Sequence, residues 1–86
     1  MARAFISHSV KSYEHWRANF NSRVPKLEDL GVSVVAVLRD TDDPLSVWIC
    51  VDSDRTVGEA ILDNSEIERV LQESGGLPPI SVSWVT

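Results

Sequence analysis

The sequence predicts an α+β domain of order βαββαβ, a four-stranded antiparallel sheet with two helices on one face. Three observations predict it. Short runs of apolar residues at 3–10, 32–40, 46–52 and 80–85 read as strands. Two intervening stretches repeat apolar residues at steps of three or four, as amphipathic helices do. A tight polar turn joins strands two and three, so these two pair as a hairpin, while helices separate the other strands.

Strand one carries FISHSV, in which Ile6, His8 and Val10 share one side and Phe5, Ser7 and Ser9 the other. Ser12 is placed as an N-cap, and Glu14 suits the first helical turn. Tyr13, Trp16, Phe20, Val24, Leu27 and Leu30 then form one stripe, with Gly31 at the C-cap. Pro25 predicts a kink, or a break near Arg23. His15 falls off the stripe and is expected in solvent. TDDP, residues 41–44, is the turn between strands two and three. Thr56 with Glu59 predicts a capping box for helix two. Val57, Ala60, Ile61, Ile67, Val70 and Leu71 give its apolar side. DNSE interrupts that pattern, and Ser65 with Glu68 can cap a second segment. SGGLPP then stops the helix, and strand four follows at 80–85. The order is ferredoxin-like, and the 86 residues make a single domain, 1–86.

Two helices cover one face of such a sheet, and the uncovered face should be polar. Strand two breaks this rule: Val32, Val34, Ala36 and Leu38 fall on one side by alternation, and Val35 and Val37 on the other. Strand three has Val47, Ile49 and Val51 on one side, Trp48 and Cys50 on the other, and strand four sets Trp84 against Val85. The second face needs cover. A homodimer joined sheet to sheet, burying about 800 Å² per partner, is expected to supply it.

Hydrophobic residues make up 43% and charged residues 24%, an ordinary globular balance, and the net charge is −5. An acidic chain of pI ≈ 4.8 is a poor ligand for nucleic acid or for anionic membranes. Cys50, the single cysteine, reads as a small core residue rather than a nucleophile. Arg3 is followed by too few apolar residues for a secretory signal, and no apolar run approaches the ~20 residues of a membrane span. A soluble cytoplasmic protein is expected.

ISHSVKSYEHW, LRDTDDP and VWICVDS, the last followed by an acidic-rich helix, resemble the small members of the dimeric α+β barrel superfamily. That group includes antibiotic-biosynthesis monooxygenase-like proteins and small polyketide cyclases. The resemblance covers nearly the whole chain in element order and length. It rests on a histidine in strand one, a helix opening with aromatic-x-x-Trp, and the Arg-Asp-x-Asp-Asp-Pro hairpin. It implies the fold and the dimer more strongly than any one reaction, because the superfamily hosts cofactor-free oxygenases, cyclases, lactone isomerases, haem-degrading enzymes and proteins without known activity. The haem-degrading members carry an Asn, Trp and His constellation. Here Ser7 and His8 stand where the Asn is sought, and helix two has neither Trp nor His, so haem is not expected. Nor is flavin or nicotinamide, which need glycine-rich loops. The expected cofactor list is empty.

His8 is the candidate general base, because a neutral imidazole near apolar walls can take a proton from an acidic carbon or phenol. The competing reading is a core histidine bonded to Ser83 or Tyr13. Tyr13 is a candidate hydrogen-bond donor, and its alternative is the first buried turn of the helix. Trp16, Phe20, Trp48 and Trp84, with Ser7, are candidates for the wall of an aromatic-substrate pocket; the alternative for each tryptophan is core or dimer packing. Arg39 with Asp40, Asp42 and Asp43 reads as a solvated turn with a surface ion pair, since a calcium loop would need a glycine and a terminal glutamate that are missing. No metal site is expected: His8 and His15 sit on different elements, and there is no cysteine pair.

Two classes of function follow. One is a small cofactor-independent enzyme, resembling polyketide cyclases and isomerases, that encloses an apolar aromatic or polyketide-like substrate and moves a proton through His8. Oxygen insertion by a substrate carbanion, as in the antibiotic-biosynthesis type, is its sister reading. The other class is a non-catalytic dimeric protein that binds small molecules or partners.

Overall fold

The structure, a computed structural model, describes residues 1–62, 72–73 and 75–85. Its elements are β1 (Ala2–Val10), α1 (Tyr13–Asp29), β2 (Ser33–Arg39), β3 (Ser46–Ser53), α2 (Arg55–Leu62) and β4 (Gly76–Val85). The sheet order is β2-β3-β1-β4, antiparallel throughout, as the ferredoxin-like order requires. The expected later half of helix two, with Ile67, Val70, Leu71 and the Ser65–Glu68 cap, lies outside the described residues.

α1 starts where a side chain satisfies its first turn: Ser12 Oγ accepts from the His15 amide at 3.4 Å. It ends on a six-to-one closure. The Val32 amide donates to Leu27 O and the Gly31 amide to Glu28 O, each at 3.0 Å, with Gly31 at φ +95°. The break expected near Arg23 does not occur, and the helix runs through Pro25. Proline cannot donate to the Asn21 carbonyl, but Asn21 is exposed and water can do so. The buried Leu27 holds the turn beyond it.

Between sheet and helix lies one core: Ala4, Ile6 and Val10 of β1, Val32 at the start of the β2 segment, Val47, Ile49 and Val51 of β3, and Trp16, Phe20 and Leu27 of α1. Full burial of a side chain such as Ile49 contributes about 1.5–3 kcal/mol. The alternation expected in β1 and β3 is observed.

β2 departs from its expected alternation. Val34 pairs with Val51 and Ala36 with Cys50, so Val35 has no opposite number and forms a bulge. The extra residue turns Val34 and Val37 toward the core and Ala36 and Leu38 toward the second face, correcting the grouping expected from a strict period of two. β4 also starts earlier than expected, at Gly76 rather than residue 80. Pro78 and Pro79 are tolerated there because β4 is an edge strand. Ser7 pairs with Ser81 and Ser9 with Leu77, so three residues of β4 span His8.

α2 is capped by Asp54, not by the expected Thr56–Glu59 box. Asp54 Oδ1 accepts from Val57 N at 3.2 Å, the helix begins at Arg55, and Glu59 instead pairs with Arg55 at 2.8 Å. On the second face of the sheet, Leu38 is 50% exposed and its register partner Trp48 40%. Arg3 and Asp52 close one end of that face with a two-pronged ion pair at 2.8 and 2.9 Å.

Candidate functional site

Strand alternation and helical spacing bring one cluster together. β1 sends His8 toward α1, and α1 meets it with Tyr13, Trp16 and Phe20, three or four residues apart on one face. Trp16 stacks on Phe20 with centroids 5.0 Å apart. Tyr13 tilts against Trp16 at 6.0 Å. His8 stands edge-on to Trp16 at 5.5 Å, with ring planes at 70°.

His8 is 4% exposed, and its Nδ1 lies 3.1 Å from Ser9 O. A carbonyl only accepts, so the Nδ1–H donates and the neutral ring carries its proton there. Nε2 is left with a bare lone pair. It is closed to solvent and has no partner among the described residues. Burial lowers the His8 pKa from its ordinary value, and the bond to Ser9 opposes this more weakly. The ring is therefore neutral at pH 7, the form a base needs. The partners expected of a purely structural histidine are not used. Ser83 lies across from Phe5 on the other face, and the Tyr13 ring lies against Trp16 and under Arg39.

Trp16 Nε1 is likewise buried and unpartnered among the described residues. The cluster thus holds an orphan acceptor and an orphan donor on two touching rings. Buried polar groups are seldom left so.

The remaining candidates lie elsewhere. Ser7 and Trp48 are register partners on the opposite face, because neighbours of a strand residue point away from it. Trp84 shares the face of His8 but pairs with Ala4, about 13 Å along the strand by the rise per residue. It packs over Gly58, with the Arg55 guanidinium 5.5 Å from its ring. Arg39 makes no ion pair with the hairpin aspartates. It donates to Pro44 O at 3.3 Å and lies 4.0 Å over the Tyr13 ring. Asp40 instead accepts from the Asp42 and Asp43 amides. Nothing in the hairpin spacing signals the Arg39–Tyr13 contact, because it joins residues on two elements. Among the described residues no three His, Cys, Asp or Glu side chains converge as metal ligands.

A cavity of about 310 Å³ opens between α1 and β2. Phe20 is the member of the aromatic cluster that lines it, beside Arg17, Asn21, Val24 and residues 34–37. Arg17 went unnoticed in the sequence, where it reads as one more charge on a solvated helix face.

No protein family and no curated protein matches the chain by sequence. Solved structures do match by shape. An antibiotic biosynthesis monooxygenase-like protein from Bordetella bronchiseptica superimposes with a TM-score of 0.75 at 17% identity, over 99% of this chain and 94% of that one. Similar proteins from Nitrosomonas europaea and Deinococcus radiodurans each give 0.68 at 14% identity, over 100% of this chain and 97% and 91% of theirs. No described helix is long and apolar enough to cross a membrane. The chain has the ferredoxin-like α+β fold of the antibiotic biosynthesis monooxygenase-like proteins.

Proposed function

We propose that the protein is a small-molecule enzyme of the cytoplasm that works without a cofactor, with His8 as its base and a flat, apolar aromatic or polyketide-like molecule as substrate. The observation that carries this reading is the orphan pair, His8 Nε2 and Trp16 Nε1. A bare imidazole nitrogen can take a proton from a carbon next to a carbonyl. An indole N–H without a partner can donate to the oxygen on which the resulting charge gathers. Tyr13 is a second donor at the edge of the cluster. Both orphan atoms are closed to solvent, so the substrate reaches them by displacing the side chains above.

The carbanion has two fates. Attack on a carbonyl of the same molecule is a cyclisation. Transfer of electrons to molecular oxygen, followed by loss of water from the peroxide, turns a CH₂ into a carbonyl: one oxygen atom stays and the other leaves as water. The names of the solved neighbours favour oxygenation. In this reading two copies join through the face that bears Leu38 and Trp48, whose exposure gives an apolar, self-complementary patch.

Anthrone in an oxygen-electrode cell tests it. Oxygenation consumes oxygen in equal measure with the anthraquinone formed, above the rate without protein. Turnover of a polyketide chain without oxygen uptake assigns the cyclase chemistry instead. Binding of both without turnover makes the protein a carrier and ends the enzyme reading.

A further inference from the structure

We propose that the groove between α1 and the free edge of β2 is a second binding site, for a small apolar carboxylate held by Arg17. Its volume of about 310 Å³ is at the low end of ligand pockets, roughly 300–1,000 Å³, and suits a medium-chain or single-ring acid. Phe20, Val24, Val34 and Val37 supply apolar walls. The bulge that throws Val35 outward, where it is 49% exposed, shapes the mouth.

The charge sets the ligand class. Arg17 lines the groove, and among the described residues no carboxylate does. Its Nη1 is sealed from solvent without a partner, and no ion pair to Arg17 occurs among the described residues. A guanidinium short of partners on one side gains most from a charged acceptor at its remaining N–H groups, and a carboxylate matches that planar fork. Asn21 adds an amide at the rim. A cationic ligand would meet a like charge, and a neutral one would leave the guanidinium uncompensated.

The groove is separate from the His8 cluster. Phe20 stands between them, its ring stacked on Trp16, and Trp16 in turn meets His8. Occupancy here therefore does not depend on turnover there.

The test is titration of the full chain with octanoate and with octanamide, followed by amide chemical shifts and calorimetry. Octanoate is expected to bind at least tenfold more tightly than octanamide, with shifts centred on Asn21 and Val35. Arg17→Gln should remove that preference and leave octanamide binding as it was. Val35→Trp, at an exposed position that folding tolerates, should block both ligands by filling the mouth. Equal affinity for acid and amide overturns the proposal. So do an unchanged octanoate affinity in Arg17→Gln, shifts centred on His8, or no binding of octanoate at millimolar concentration.

Discussion

His8 and Trp16 meet edge to face across the layer between β1 and α1, their ring centroids 5.5 Å apart, and each carries a buried nitrogen without a partner among the described residues. An unmatched buried donor or acceptor costs about 1–3 kcal/mol. Two such costs in one contact are a poor way to build a core. They are a good way to hold a base and a donor ready for a substrate. The β4 irregularity lies beside them: residues 78–80, two of them prolines, span the single residue His8.

The lowered pKa of His8 predicts how stability varies with pH. In the unfolded chain the imidazole titrates near its ordinary value of 6.5; in the folded chain burial holds the value lower. Between the two values the unfolded state binds the extra proton. The stabilisation from a neutral His8 is thus fully present above about pH 6.5 and is lost as pH falls below it, at no more than ~1.4 kcal/mol per pH unit. Urea unfolding at pH 7.5, 6.5 and 5.5 should show this loss in the wild type, and a smaller one in His8→Gln. The exposed His15 is common to both proteins and cancels. Equal pH slopes would contradict the burial argument.

Gly58 lies where α2 crosses the sheet, and a Cβ there would collide with the Trp84 ring and come within 3.2 Å of Ser53 Oγ. Alanine in a helix is otherwise favoured over glycine by about 1 kcal/mol. Here the sign should reverse. Gly58→Ala is predicted to destabilise by roughly 1–3 kcal/mol through overpacking, read from the thermal midpoint by circular dichroism. Adding Trp84→Leu should recover part of that loss. A stabilised single variant would show that α2 sits farther from β4.

Leu38 and Val37 are neighbours on opposite faces, which separates dimerisation from folding. Leu38→Asp charges an open position beside Trp48, so the chain should fold and sediment near 9.6 kDa instead of twice that mass. Val37→Asp puts a carboxylate against the core and should unfold the chain outright. A Leu38→Asp dimer would remove the sheet-to-sheet seam from the account.

Strict alternation and helical spacing made β1, β3 and α1 legible, but not which face of the sheet His8 occupies, so its meeting with Tyr13, Trp16 and Phe20 emerges only from the structure. The Val35 bulge was not legible, since an extra residue inside a run of valines leaves the pattern apolar either way. The β4 prolines read as a helix stop because their tolerance depends on the strand being at an edge, which only the sheet order shows. Residue type groups Trp48 and Ser7 with His8, and the face they occupy separates them. The Tyr13 ring under Arg39 lies on another element, and the groove that Arg17 lines is completed by β2, so local spacing carried no sign of either.

The central claim is that His8 is a working base, and His8→Gln tests it most directly. Glutamine keeps size and polarity and removes the group that titrates. With anthrone or the natural substrate, the account predicts that turnover per folded molecule falls by about 10²–10⁴, while the melting temperature changes little, because Nε2 has no partner among the described residues to lose. Intact turnover per folded molecule, with stability lowered by about 1–3 kcal/mol, would make His8 a core residue and contradict the account.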